Sequence, residues 1–225
     1  MNYKDFQPKK TSRVRENIEW STRYAYNATD LESPRVLLIG DSICNGYQGA
    51  VRERLKDKAN VSFWASSKCV TDPDYFRELD FILDEMPYSL ISFNNGLHSL
   101  VSDESEWDIA FNAAVDFIRA KLPETKLVLT LSTSLNEEWR TERSKALNAI
   151  VLKTAERTGL PVIDLFTPTD ALDKDKEMSD IYHFKAPAIA MQADIIAEKV
   201  VDILGLESSG IVQKSSLTGE NGAVK

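Results

Sequence analysis

Three short stretches of this chain hold residue types that could together break an ester bond. The first is Gly40-Asp41-Ser42-Ile43-Cys44-Asn45-Gly46. A serine hydroxyl attacks a carbonyl only when a base takes its proton, and near neutral pH that base is usually histidine. The chain has only two histidines, His98 and His183. His183 closes the stretch Ser179-Asp180-Ile181-Tyr182-His183. An aspartate three residues ahead of a histidine can fold back in a turn and accept the imidazole Nδ1–H, which leaves Nε2 facing a nucleophile. The third stretch is Ser92-Phe93-Asn94-Asn95-Gly96-Leu97-His98, where a side-chain amide could donate to a developing oxyanion. Each stretch alone also has a plainer reading. Gly-Asp-Ser and Asn-Asn-Gly are turn compositions, and Asp-x-x-His describes a capping aspartate beside a surface histidine.

Position in the chain connects the three. Apolar runs at Arg35–Ile39, Val61–Ala65, Leu90–Phe93, Leu127–Leu131 and Pro161–Leu165 are continuous rather than alternating, which suits strands covered on both faces. Between them run stripes of helical spacing: Phe76, Leu79, Leu83 and Met86; Trp107, Phe111, Ala114, Ile118 and Leu122; Leu147, Ile150, Val151 and Ala155, ending at Gly159. A last stripe, Ile189, Ala193, Ile196, Ala197, Val200 and Leu204, ends at Gly205. Strand and helix alternating in this way predict an α/β fold. The expected form is a three-layer α/β/α arrangement around a five-stranded parallel sheet of flavodoxin-like layout. Ligands in such sheets bind outside the carboxyl ends of the strands. The serine stretch follows the first run, the asparagine stretch follows the third, and the Asp-x-x-His stretch precedes the last helix. The domain is expected over 34–206, with residues 1–33 as an N-terminal arm and 207–225 as a disordered polar tail.

Bulk composition narrows the function classes. The 225 residues suit one domain. A net charge of −8 argues against a broad phosphate-binding face, so no nucleic-acid partner is expected. No apolar stretch is long enough for a membrane span, and the first residues carry no signal-peptide core, which makes a cytoplasmic location the expectation. Cys44 and Cys69 are too few for a disulfide framework and are not spaced as a metal site. As free thiols they read more simply as buried small residues than as nucleophiles.

Gly40-Asp41-Ser42 and Asp180-x-x-His183 resemble the first and last sequence blocks of the SGNH (GDSL-type) hydrolases. Asn94-Asn95-Gly96-Leu97 is similar to their third block, Gly-x-Asn-Asp, and the resemblance runs from about Arg35 to Leu204. It implies a serine esterase with Ser42, His183 and Asp180 as triad, acting through an acyl-enzyme with no metal or cofactor. It also implies Asn94 and a backbone N–H after the second strand as oxyanion donors. The family usually has a glycine at that second position. Here the stretch reads Ala65-Ser66-Ser67-Lys68-Cys69-Val70, with Cys69 as the positional match. Asn95, His98 and Lys68 are candidate substrate contacts. Asn95 could instead make a structural bond in the turn, His98 could bond within its loop, and Lys68 could be a solvated surface lysine. By family analogy the substrate is a small-molecule or carbohydrate ester, with an O-acetyl sugar ester first and a lipid acyl ester second. A ligand-binding domain without turnover is the remaining alternative.

Overall fold

The computed structural model describes residues 1–206, so the expected tail lies outside the described residues. Six strands form one sheet: β1 (Ser21–Ala25), β2 (Arg35–Gly40), β3 (Asn60–Ser66), β4 (Leu90–Phe93), β5 (Lys126–Thr130) and β6 (Val162–Ile163). Their spatial order is β1-β3-β2-β4-β5-β6. β2 to β6 run parallel, in the doubly wound order expected. β2 lies between β3 and β4 and is buried at every residue, which is why its sequence is an unbroken apolar run after Arg35.

Seven α-helices cover the sheet: α1 (Ser42–Arg54), α2 (Pro73–Glu85), α3 (Glu104–Lys121), α4 (Glu138–Thr158), α5 (Phe166–Asp170), α6 (Lys174–Glu177) and α7 (Ala186–Leu204). α1 packs against α7, while α2 and α4 each pack against α3. Right-handed crossovers place these two groups on opposite faces of the sheet. The longer helices start and stop where local chemistry requires. Asp103 caps α3 by accepting from the Ser105 and Glu106 N–H groups, and Pro73 opens α2. α4 and α7 end at Gly159 and Gly205, whose φ of +68° and +66° are left-handed and cost a glycine little.

The structure departs from the sequence reading at both edges. β1, within the expected arm, pairs antiparallel with β3 and makes the sheet six-stranded and mixed. Its sequence, Ser-Thr-Arg-Tyr-Ala, has no apolar run because an edge strand buries only part of its surface. At the other edge the run Pro161–Leu165 forms only a two-residue strand, since Leu165 turns out to open α5.

The chain returns from β1 to β2 around a buried cation. Arg35, 1% exposed, donates to the carbonyls of Tyr26, Asn27 and Asp30 and to Ser62 Oγ. Four acceptors offset its lost hydration and fix the turn that leads into the central strand.

Candidate active site

The carboxyl ends of β2, β3 and β4 and the turn before α7 meet at one end of the sheet. Ser42 is the first residue of α1, so its N–H lies ahead of the first intrahelical acceptor and remains open. Asp41 caps the helix, its buried carboxylate taking the Ile43 N–H at 3.0 Å. Gly40 is needed for space rather than for φ. A Cβ there would stand 2.7 Å from the Cys44 Cβ, forcing the first turn of α1 outward.

The second element is a tight turn after α6. A bridge between Met178 and Phe184 and a bond from Ser179 N–H to the His183 carbonyl, at 2.8 Å, close it. Asp180 Oδ1 accepts the N–H groups of Tyr182 and His183 at 2.7 and 2.8 Å, the local Asx pattern that lets three-residue spacing fold back. Its Oδ2 meets His183 Nδ1 at 2.8 Å, and His183 Nε2 meets Ser42 Oγ at 2.8 Å. Burial pushes the Asp180 carboxyl up. The bonds from the His183 side chain and from the His183 and Tyr182 backbone outweigh it and hold the group below its ordinary value. A carboxylate, an imidazole and a hydroxyl therefore stand in one hydrogen-bonded row. That row can draw a proton from the serine and stabilise the imidazolium formed.

The asparagine pair divides differently from the family match. Asn94 Nδ2 donates to the Thr130 carbonyl at the end of β5, at 2.8 Å, and to Ser132 Oγ just beyond it, at 3.0 Å. Asn94 lines a small cavity together with Cys44, Tyr47 and Thr130. Its amide has no hydrogen left for an oxyanion, which corrects its assignment as a donor. Asn95 turns the other way, as alternation at a strand end requires. Its Oδ1 accepts the Val70 N–H and the Ser99 hydroxyl, and its Nδ2 donates to the Lys68 carbonyl at 2.9 Å.

The loop after β3 needs a similar correction. The Cys69 N–H donates to Asp72 Oδ2 at 3.0 Å, so it is not open to an oxyanion. The Lys68 N–H has only the Ser66 hydroxyl two residues back, at 3.1 Å. The Lys68 ammonium pairs with Glu78, away from the triad. Both thiols are buried, and burial pushes Cys44 up to about 12, a poor setting for a nucleophile. Among the described residues no cluster of three or more His, Cys, Asp or Glu could hold a metal ion, and no helix is long and apolar enough to cross a membrane.

A cleft of about 750 Å³ opens over the serine, lined by Ser42, Asn45, Leu97, His98, Tyr182 and His183 together with Glu16, Trp20 and Thr22. His98 reaches Glu16 Oε1 through Nδ1 at 2.5 Å and meets the edge of Trp20, ring centroids 5.9 Å apart. Glu16, Trp20, Thr22 and Tyr182 were not among the candidates from sequence. The arm could have been suspected from Trp20, Tyr24 and Tyr26 standing among charges, but no motif there points to a site. A groove of about 790 Å³ near Arg119, Lys126, Leu160 and Ile203 is lined by no serine, cysteine or histidine, so the chemistry and not the volume singles out the cleft over Ser42.

Comparison with known proteins bears on the fold. No family model and no curated protein matches the chain. Solved structures do. A lipase/acylhydrolase from Enterococcus faecalis is 17% identical, with a TM-score of 0.60 over 77% of this chain and 97% of its own. A carbohydrate esterase family 3 protein from Talaromyces cellulolyticus is 13% identical, with a TM-score of 0.62 over 76% and 98%. A catalytic mutant of an acetylxylan esterase from Geobacillus stearothermophilus is 15% identical, with a TM-score of 0.57 over 79% and 98%. Over most of its length the chain therefore has the fold of the SGNH/GDSL-like acylhydrolases and esterases.

Proposed function

We propose that this protein is a serine esterase that hydrolyses carboxylic esters through an acyl-enzyme. The observation that carries the reading is the unbroken row of two 2.8 Å hydrogen bonds from Ser42 Oγ through His183 to Asp180. In this reading Ser42 attacks the ester carbonyl while His183 accepts its proton and passes it to the leaving alcohol. Water then repeats the sequence in reverse, releasing the acid. Asp180 holds the imidazole tautomer and stabilises its charged form. The Ser42 N–H, the Asn95 side-chain amide and the Lys68 N–H are the donors proposed for the oxyanion.

The composition of the cleft supports a neutral, hydroxyl-bearing substrate, with an O-acetyl carbohydrate ester as the class proposed. Trp20 and Tyr182 offer flat apolar faces, Thr22, Asn45 and His98 offer polar edges, and Glu16 adds negative charge with no lysine or arginine on the lining. Some of the structures that share the fold are described as carbohydrate or acetylxylan esterases.

The test combines a fluorophosphonate probe with p-nitrophenyl acetate, butyrate and octanoate and an acetylated disaccharide. Wild-type protein should be labelled and should favour acetyl esters. Ser42→Ala should fold, resist labelling and lose roughly six orders of magnitude in kcat. An unlabelled wild type, or a Ser42→Ala variant that keeps more than about a hundredth of the rate, would overturn the reading.

A further inference from the structure

The loop after β3, Ser67-Lys68-Cys69-Val70, has no glycine, and most of its backbone polar groups are tied down. The ties come from three sources. Asn95 takes the Lys68 carbonyl and the Val70 N–H. Others come from within the loop, where Ser66 and Asp72 take the Lys68 and Cys69 N–H groups, and from the N-terminal arm, of which Arg13 is the centre. Its side chain is 1% exposed. One guanidinium nitrogen donates to Asp72 Oδ2 and Glu19 Oε1, and the other donates to the Ser67 carbonyl at 2.8 Å. Glu19 in turn accepts from Ser67 Oγ at 2.6 Å, Ser67 Oγ accepts the Trp20 N–H, and Asp72 accepts the Cys69 N–H.

We infer that Arg13 is a positioning residue for the oxyanion hole, holding the Ser67–Lys68 peptide and, through it, the Lys68 N–H and the Asn95 amide toward Ser42. The inference rests on the esterase reading above. The Ser67–Lys68 peptide lies just past the end of β3, and the Ser67 carbonyl takes its restraint from outside the loop. The guanidinium supplies it with a planar fork that binds a carboxylate and a carbonyl at once. The donors so held are useful only if preorganised, because the oxyanion exists only in the transition state and tetrahedral intermediate. Arg13 itself is buried and is not among the residues that line the cleft over Ser42.

The arm carries a built-in control. Arg15, two residues on, pairs with Asp74, and both partners are exposed. The experiment compares wild type, Arg13→Gln, Arg13→Lys and Arg15→Gln for kcat and KM on p-nitrophenyl acetate. It adds inhibition by a trifluoromethyl ketone, which forms a tetrahedral adduct with the serine, and thermal melting. A lysine cannot bridge Asp72 and Ser67 with fork geometry, so Arg13→Lys tests the same point with the charge retained.

Arg13→Gln should lower kcat by on the order of 10-fold or more, short of the roughly 10²–10³-fold cost of deleting a donor. KM should stay within about twofold, and the ketone should weaken in parallel with kcat. Arg13→Lys should fall between, and Arg15→Gln should match wild type. Folded Arg13 variants with wild-type kcat and a lower melting temperature would show a purely structural role and overturn the inference. So would a rise in KM at unchanged kcat. Wild-type turnover reports on the esterase reading and the variant-to-wild-type ratio on Arg13, so the two can fail separately.

Discussion

Asn94 and Asn95 are neighbours with the same side chain, and they face opposite sides of β4's end. Asn94 donates to the Thr130 carbonyl of β5 and to Ser132 just beyond it, while Asn95 bridges the loop after β3. Asn95→Ala is therefore expected to lower kcat by roughly 10²–10³ with little change in KM, since the lost donor acts in the transition state. It should also lower the melting temperature, because the Val70 N–H and Lys68 carbonyl lose their partner. Asn94→Ala should leave kcat within about an order of magnitude and cost about 1–3 kcal/mol of stability, from the unpaired Thr130 carbonyl and Ser132 hydroxyl. Steady-state kinetics and melting curves on the two variants decide between them. The reverse pattern would return the oxyanion role to Asn94.

At the scale of elements, the turn from β2 into α1 places the serine, and its tolerance is small. A methyl group at position 40 would meet the Cys44 Cβ at 2.7 Å, and that atom belongs to a helix rather than to a flexible side-chain tip. Gly40→Ala should cost about 1–3 kcal/mol through overpacking. It should also slow fluorophosphonate labelling by one to two orders of magnitude, as the first turn of α1 carries Ser42 off line; a shift near 1 Å is worth about 10²-fold. Labelling at the wild-type rate would mean that α1 absorbs the methyl group without moving its first residue. The elements themselves were legible to very different degrees. β2 to β5 are announced by apolar runs, because both faces of a central strand are covered. β1 is not, because an edge strand of serine, threonine and arginine is held by backbone bonds to β3, which leave no trace in side-chain type.

At the scale of the whole molecule, the net charge of −8 and the Glu16 carboxylate in the cleft set the field that a substrate meets. The one lysine considered as an anion contact is paired with Glu78 instead. Esters with an anionic acyl group, such as a succinyl ester, should therefore turn over with lower kcat/KM than neutral esters of similar size. The gap should narrow as salt rises from low ionic strength to about 0.15 M, where screening acts over about 8 Å. Neutral acetyl esters should show little salt dependence. Faster turnover of the anionic ester at low salt would mean that a cation reaches the cleft from outside its described lining.

The sequence by itself determined the layering, the parallel order of the central strands and the two polar stretches that meet as serine, histidine and aspartate. Those features depend on short-range rules: apolar runs for covered strands, helical periodicity, a capping aspartate, and an Asp-x-x-His turn whose bonds close within four residues. Tertiary structure alone decided which partners each asparagine takes, which backbone N–H groups remain open, and that the arm lines the cleft over Ser42. Arg13 lies 54 residues from Ser67 and 59 from Asp72, and Glu16 lies 82 from His98. Contacts at such separations follow from where the sheet edge carries the arm. A residue's own type and near neighbours hold no record of that.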